Sequence, residues 1–366
     1  MQIKMKHSIK TLLIMLVLTT QLPGQEKLEF TADTMRGEAS PNGPVRILEG
    51  NVHLKQGDAN LYCEYAQYFS ELNKTILEKD VEFVDPEKTI TSEKVFYFDL
   101  DRTLKAVGNV VFVDSVHKMC CDVVTYHKLT EHVIASDNVV MTESSNEVVL
   151  TGEHVEYFRN DGYAFITGSP VLTKKDSTQS DEIVITGKKM EIMESGDRAV
   201  VTDSVRIDHT NGKAECDKAE YFRAENRLLL QDNPVVWQNK DRLAGDEIEL
   251  FFIGRSLNQV VIRENAFVNS PVDSTVEGTR MNRLQGDKIT MTLEDNKLHQ
   301  VEVEGKATSF YHILEDNDYK GMNKIIGDKI RMELSKNEII RIIIESDPEK
   351  SSGTYFPPEM VARGRQ

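Results

Sequence analysis

The segment SEKVFYF at residues 92–98, together with VGNVVF at residues 107–112, carries the pattern that decides the fold. In the first segment Val95 and Tyr97 alternate with Phe96, a period of two that places alternate side chains on opposite faces of a β-strand. The second segment contains a Gly-Asn pair, which is typical of turns, and then alternating apolar residues. The two segments therefore predict two strands with a turn signal in phase with them.

The first segment is one copy of a six-residue motif that recurs along the chain. The motif has six positions. A small residue comes first and a residue that is usually acidic comes second. The third and fifth positions are variable, the fourth is aliphatic, and the sixth is Tyr or aliphatic. Its nine clear copies are CEYAQY from Cys63, SEKVFY from Ser92, CDVVTY from Cys121, GEHVEY from Gly152, GKKMEI from Gly187, CDKAEY from Cys216, GDEIEL from Gly245, GDKITM from Gly286 and GDKIRM from Gly327. A degenerate copy, ADTM, begins at Ala32. The copies are 29 to 41 residues apart, with a mean period of 33.

A second pattern keeps step with the first and places turn residues before an alternating apolar pair. Its copies begin at Gly50, Lys79, Gly108, Asp137, Asp203 and Asn233, with weaker ones at Ser169 and Glu264. Each period then holds two or three strands of about five to eight residues. A single repeat cannot bury its apolar face, whereas stacked repeats share one continuous interior. The sequence therefore predicts one elongated all-β domain.

The apolar side of these strands supplies the candidate binding residues. One interpretation is a sandwich whose two faces pack into a dry core, and the other is a trough that holds an apolar ligand. Periodicity alone does not separate the two. The candidates for a lipid-binding groove are Val52, Leu54, Tyr68, Val81, Phe83, Val95, Tyr97, Val110, Phe112, Val124, Tyr126, Val155, Tyr157, Tyr221, Trp237, Ile248 and Leu250.

Composition excludes several classes of protein. The chain has 366 residues, and its 60 acidic against 44 basic side chains give a formal net charge of −16. This balance argues against a nucleic-acid binder, which needs basic surface against phosphates. A hydrophobic share of 39%, spread evenly, fits neither a disordered chain nor a multi-pass membrane protein. Four Cys in a chain of this length do not make a disulfide scaffold.

The two ends of the chain differ from the repeats. Lys4, Lys6 and Lys10 precede the apolar run LLIMLVL at residues 12–18, the pattern of a secretory signal peptide. An uncleaved membrane anchor is the alternative. Residues 347–366 are rich in Pro and Ser, which predicts a flexible tail, with docking of Tyr355 and Phe356 on a partner or over the last strand edge as the alternative. The predicted organisation is therefore a signal peptide at 1–24, a repetitive domain at 25–346 and a tail at 347–366.

The repeated polar residues have simple structural explanations. Cys63, Cys121 and Cys216 occupy the small-residue position of the motif and are interpreted as packing residues. The repeated acids are expected to cap amides at strand ends, because the Gly-Gly-x-Gly-x-Asp pattern of calcium-binding β-rolls is absent. No nucleophile elbow, phosphate loop or zinc-type spacing is present. We therefore predict no enzyme activity, no metal and no cofactor.

The repeats resemble a known family. CEYAQYF with EGNVHL, SEKVFYF with VGNVVF, and CDKAEYF with DNPVVW look like the LptA/OstA-like domain of bacterial lipopolysaccharide transport. The resemblance extends over about residues 28–346. It implies an antiparallel β-jellyroll folded like a taco, whose apolar interior carries the acyl chains of lipid A. The chain departs from the simplest periplasmic member in its greater length, and its later repeats are irregular.

The resemblance also implies a place and partners. The protein is expected in the periplasm, where end-to-end strand pairing joins similar domains of inner-membrane and outer-membrane transport components, with head-to-tail self-association as a further option. Lipopolysaccharide is the expected ligand and no nucleic acid is expected. The alternative function is a structural or surface β-solenoid with a dry interior. The acidic charge fits an anionic lipid only if the head group stays clear of the acids or divalent ions bridge it.

Overall fold

A computed structural model gives the fold of the chain. It describes residues 27–363 apart from 42, 144–147, 176–181, 211, 239, 255, 273–279, 295–296, 316–317, 336–337 and 348. The predicted signal peptide lies outside the described residues.

The described residues form 26 strands of one antiparallel sheet. The strands are β1 Glu29–Thr31, β2 Thr34–Ser40, β3 Gly43–Gln56, β4 Ala59–Phe69, β5 Lys74–Val84, β6 Lys88–Phe98, β7 Thr103–Asp114, β8 His117–His127, β9 His132–Glu143, β10 Val148–Phe158, β11 Tyr163–Thr167, β12 Val171–Lys175, β13 Glu182–Thr186, β14 Lys189–Met193, β15 Arg198–His209, β16 Gly212–Phe222, β17 Arg227–Gln231, β18 Val235–Gln238, β19 Asp241–Ala244, β20 Glu247–Ile253, β21 Ser256–Pro271, β22 Met281–Glu294, β23 Lys297–Glu315, β24 Asp318–Ser335, β25 Glu338–Glu345 and β26 Ser352–Phe356. Single 3₁₀ turns lie at Ser70–Leu72, Arg159–Asp161 and Glu194–Gly196, and helix α1 is Pro358–Arg363.

Each long strand bends in its middle and so contributes to two walls. In β6, Lys94 to Phe98 pair with the first half of β7, and Lys88 to Thr91 pair with the second half, with a register shift between the two stretches. Wall A contains the strand halves that end in the motif Tyr, such as residues 93–98, and wall B contains the other halves, such as 88–92. Where a bend breaks the strand, the halves become separate strands, as β11 and β12 do against β10. The antiparallel all-β prediction is confirmed, and the bent meander is a β-jellyroll.

The bends arise from paired left-handed residues. In β7 these are Gly108 and Asn109, with φ angles of 85° and 44°. Equivalent pairs stand at 50–51, 79–80, 137–138, 168–169, 203–204, 232–233, 264–265 and 305–306. Gly and Asn tolerate this region best, and two such residues opposite one residue of the neighbouring strand form a bulge that turns the chain. The prediction of strands five to eight residues long is wrong for β3 to β10, because those strands continue through the bend.

The apolar interior between the walls falls into two clusters. The N-terminal core runs from Leu48 to Met190, and the C-terminal core runs from Val205 to Met332. Val201 packs against both of them. The side chains are continuous along the interior, in agreement with stacked repeats that share one apolar lining.

The later repeats are longer because wall B is longer there. The wall B part of β23, from Ala307 to Glu315, pairs with β24 along its length, whereas that of β3 covers only residues 52–56. The stretch predicted as a flexible tail differs from that expectation. It contains β26, which pairs with the wall B part of β24, and Tyr355 donates a hydrogen bond to the carbonyl of Lys320. The domain boundaries themselves remain a prediction.

Candidate apolar trough

The candidate site is the trough between walls A and B, and most of the predicted lining residues face into it. Val52, Leu54, Val81, Phe83, Val95, Tyr97, Val110, Phe112, Val124, Tyr126, Val155 and Ile248 are buried. Tyr68, Tyr157 and Leu250 are half-buried. Around β3 to β9 the interior is closely packed, since Leu61, Leu77 and Val95 are fully buried. The side chains in this part of the trough therefore pack directly against one another.

Trp237 is a correction to the predicted lining. In β18 the neighbouring Val236 packs into the C-terminal core, so Trp237 lies on the outer face, where the Lys213 ammonium stands 4.5 Å from its ring centroid. The left-handed pair there is Asp232-Asn233, and Pro234 takes the first inward position. The sequence pattern placed this copy one residue too late, with its turn at Asn233-Pro234 where the structure has Asp232-Asn233. A shift by one residue moves every side chain of a strand to the opposite face.

The mouth of the trough is closed over the N-terminal core by hydrogen bonds between the walls. The Tyr97 hydroxyl on wall A donates to the Gln56 side chain on wall B. Further along, the Lys88 ammonium on wall B donates to the Tyr126 hydroxyl and to Glu131, each over 2.8 Å. Tyr126 in turn donates to Glu131. These groups have little contact with water, since Gln56 and Lys88 are 3% and 6% exposed.

Charge pairs extend this closure. Arg159, in the turn after β10, pairs with Glu87 of the turn between β5 and β6, and it lies 3.5 Å from Glu131. The buried Asp85 carboxylate accepts ion pairs from Lys88 at 3.5 Å and from Lys128 at 3.8 Å. We call the contacts among Gln56, Asp85, Glu87, Lys88, Tyr97, Tyr126, Lys128, Glu131 and Arg159 the clasp.

Protonation of the clasp is set by these contacts. Burial alone would raise the pKa of Glu131, but hydrogen bonds from Lys88 and Tyr126 lower it below its usual value, so the carboxylate stays ionised. Burial and the neighbouring Glu131 carboxylate both raise the pKa of Tyr126, which therefore stays protonated and remains a donor. At neutral pH the Tyr126 hydroxyl therefore donates and the Glu131 carboxylate accepts.

The sequence analysis missed the polar half of the clasp. Lys88 occupies an inward position, because Ile90 two residues later is fully buried in the core. A lysine on the side of a strand that otherwise faces the core needs a buried partner, so the position of Lys88 in the sequence predicts one. Its partner Glu131 is 43 residues away, and nothing local in the sequence identifies it.

The trough is more open beside β14 to β16. Ile192 and Tyr221 stand at the mouth end of wall A and are each 38% exposed. In β15 the inward Val201 is half-buried, while its outward neighbour Val200 is only 5% exposed. The smaller Ala199 lies between Ile192 and Tyr221 in the register. Inward apolar residues at the mouth are thus exposed here, while the deeper inward residues Met190 and Ala219 are 5% and 4% exposed.

The repeated acids lie at the bends, along the folded edge of the jellyroll. Asn51, Asn109 and Asn138 at three bends donate their side-chain amides to Asp33, Glu93 and Asp122, over 2.9, 2.6 and 2.7 Å. At Asp246 the donor is Asn265. The acids at these four bends therefore bind Asn side-chain amides in the middle of strands, and not the strand-end amides that the sequence predicted.

The cysteines behave as packing residues. Cys63, Cys121 and Cys216 are buried members of the two cores and are not disulfide-bonded. Burial raises the pKa of the Cys63 thiol to about 11 and that of Cys121 and Cys216 to about 12, so these thiols are unreactive at neutral pH. Within the part of the chain that the structure describes, no cluster of His, Cys, Asp and Glu is arranged to hold a metal. The same residues include no helix that is long and apolar enough to cross a membrane.

The bent strands and their enclosed apolar interior define the chain as a repetitive β-jellyroll. Residues 121–252 match a family model described as the LptA/(LptD N-terminal domain) LPS transport protein family. These residues thus match a lipopolysaccharide-transport family, and the family resemblance inferred from the repeats is confirmed.

Among solved structures, the chain is similar to LptH, the LptA homologous periplasmic component of the lipopolysaccharide transport device from Pseudomonas aeruginosa. The match has 14% identity and a TM-score of 0.30, and it covers 39% of this chain and 94% of that one. A TM-score this low does not bear on the fold. No curated protein matches the chain.

Proposed function

We propose that the protein is a periplasmic carrier that holds the acyl chains of lipid A in its trough and passes lipopolysaccharide from the inner to the outer membrane. The observation that carries this proposal is an apolar trough between two walls in a chain whose residues 121–252 match a lipopolysaccharide-transport family. Burial of an acyl chain supplies roughly 0.8 kcal/mol per methylene. The mechanism is transfer along a surface and involves no bond chemistry.

The distribution of charge supports this ligand. The repeated acids, such as Glu93 and Asp122, lie at the bends, and the mouth lies at the opposite ends of the walls. A phosphorylated head group at the mouth therefore stays clear of the row of acids. The clasp adds Lys88, Lys128 and Arg159 on the mouth side, where Asp85, Glu87 and Glu131 balance their charge.

Free strand edges at both ends support end-to-end assembly. Within the described residues, β1 and β2 pair with β3, and β25 and β26 pair with β24. Among the residues that the structure describes, the outer side of each end strand thus pairs with no further strand, and another sheet can add there. We propose that transport components of both membranes, or further copies of the chain, add at these edges.

The structural β-solenoid remains the second candidate, because the N-terminal core is packed as a dry core would be. A photo-crosslinking amino acid at Tyr221 tests the two against each other, with the same group at outward Trp237 as the control. The carrier proposal expects an adduct with added lipopolysaccharide at 221 and none at 237. Adducts at neither position or equally at both would contradict it. In cells, depletion is expected to leave new lipopolysaccharide at the inner membrane.

A further inference from the structure

The clasp and the exposed inward residues divide the mouth of the trough into two parts. The motif position at the mouth end of wall A holds Tyr68, Tyr97, Tyr126 and Tyr157 in the first repeats and Ile192, Tyr221, Leu250, Met291 and Met332 afterwards. Tyr97 and Tyr126, each 1% exposed, reach wall B with their hydroxyls. Ile, Leu and Met have no group that can make such a bond, so among the motif residues named after Tyr157 only Tyr221 carries a hydroxyl.

Exposure at this motif position is greatest beside β14 to β16, and it falls again to 4% at Met332. Tyr97 and Tyr126 are shielded, whereas Ile192 and Tyr221 at the same motif position are 38% exposed although they face inward. Small residues contribute to the opening, since Ala164 and Ala199 flank Ile192 where Leu104 flanks Tyr97 and Tyr126. Inward apolar surface that meets water is surface that an acyl chain would cover.

We propose that an acyl chain enters the trough from the side beside β14 to β16, at Ile192, Val201 and Tyr221, and that the clasp keeps it out of the N-terminal core until the clasp hydrogen bonds break. This inference rests on the proposed function for the nature of the ligand. The clasp is suited to such a role because its contacts join the two walls across the mouth, between residues far apart in the chain. Gln56 and Tyr97 are 41 residues apart, and Glu87 and Arg159 are 72 apart.

Polar clasp groups also oppose the passage of lipid through closed walls. The pairs formed by Lys88 with Asp85 and Glu131 are largely shielded from water. An acyl chain that separated them without water would leave buried charges unpaired, which is strongly unfavourable. Passage along the N-terminal half therefore requires the walls to part and the clasp groups to be hydrated or paired elsewhere.

The first experiment maps where lipid binds. Palmitic acid that bears a diazirine is photolysed with the full chain, and adducts are located by peptide mass spectrometry. Wild-type adducts are expected at residues 189–222 and not at 61–97. In the triple variant Lys88→Met, Tyr97→Phe, Tyr126→Phe, adducts at 61–97 are expected to rise at least several-fold. Tyr62→Phe, which removes a hydroxyl from the outer face, is the matched control and keeps the wild-type map.

Wild-type adducts spread equally over both parts would overturn the proposal, as would a map that the triple variant leaves unchanged.

The second experiment needs no lipid. Spin labels at Asp58 on the wall B side and Leu100 on the wall A side, with the four native Cys replaced, report the distance across the mouth. A narrow distribution that broadens in the triple variant supports the clasp, and a distribution already broad in the wild type overturns it. If no adduct formed anywhere, the proposed function and the side opening would both fail, while the spin-label distance would still decide whether the clasp holds the walls together.

Discussion

Asn109 shows how one side chain bends a β-strand. Its φ of 44° lies in the left-handed region, which Asn tolerates, and its amide donates to Glu93 over 2.6 Å. The same arrangement recurs at Asn51, Asn138 and Asn265. Backbone preference and one hydrogen bond thus act together at each of these bends, and they position the walls that enclose the trough.

Asn109→Ala is expected to lower the free energy of unfolding by about 2 kcal/mol, because it loses the hydrogen bond and places Ala in the left-handed region. Asn109→Gly loses only the hydrogen bond and is expected to cost about 1 kcal/mol. Glu93→Gln keeps an acceptor for the Asn109 amide and serves as the control with little effect. Urea denaturation measures all three. Equal losses for the Ala and Gly variants would show that backbone conformation contributes nothing.

The buried carboxyl group of Asp99 is expected to make the free energy of unfolding depend on pH. It is 7% exposed, and its Oδ1 accepts no hydrogen bond from any residue that the structure describes. Burial raises its pKa from 3.8 to about 6 in the folded chain. A raised folded pKa means that the stabilising contribution of the protonated group is complete below pH 3.8 and is lost as the pH rises through 6.

Asp99→Asn is therefore expected to remove this loss and to be more stable than the wild type at pH 8 by about 2 kcal/mol, with little difference at pH 4. Thermal unfolding at a series of pH values between these limits measures the effect. Asp58→Asn, at an exposed carboxylate in the turn between β3 and β4, is the control. Parallel pH profiles for wild type and Asp99→Asn would contradict the prediction.

At the scale of elements, much of the fold could be predicted from the sequence. Alternation around Val95 and Tyr97 predicts strands, and the Gly108-Asn109 pair marks a bend, because both signals are local to the chain. The side on which Trp237 lies could not be read so simply, since Pro234 occupies the position that Val fills elsewhere and hides the register. Apart from the inward position of Lys88, the clasp had no local signal, because it joins residues tens of positions apart through the twist and closure of the walls.

The wall B turns form a recurring element. In the turn between β7 and β8, the Asp114 carboxylate accepts hydrogen bonds from the N–H groups of Val116 and His117 over 2.8 and 2.7 Å. The buried Asp85 makes the same pair of bonds to Glu87 and Lys88 in the turn between β5 and β6. These contacts fix the turn that presents clasp residues.

Asp114 is expected to respond to pH in the sense opposite to Asp99. Burial alone would raise its pKa, but hydrogen bonds from the His117 ring and the two N–H groups lower it to about 2. A lowered folded pKa gives stability that is present above pH 3.8 and is lost as the pH falls toward 2. Asp114→Ala is therefore expected to lose about 2 kcal/mol at pH 7 and less at pH 2.5, as measured by denaturation at the two values. A loss that is equal at both values would contradict the assignment.

At the scale of the whole molecule, the two cores allow the free energy of local unfolding to differ between the N-terminal and C-terminal halves. Stacked repeats contact mainly their neighbours, so a defect in one region is transmitted only through adjacent strands. The N-terminal core is joined across the mouth by the clasp, while the C-terminal core begins where the inward residues meet solvent. Backbone amides of β4 to β8 are therefore expected to exchange with solvent more slowly than those of β14 to β16.

Two matched substitutions test this division. Leu77 and Ile289 are fully buried, one in each core, and replacement of either by Ala is expected to cost about 2–5 kcal/mol locally. Native-state hydrogen exchange by mass spectrometry is expected to show faster exchange in β4 to β8 for Leu77→Ala and in β21 to β24 for Ile289→Ala, with the other region unchanged. If each substitution instead lowered protection equally along the whole chain, the molecule would unfold as one unit. The clasp could not then open the N-terminal half independently, because wall separation in one half would require loss of packing in the other.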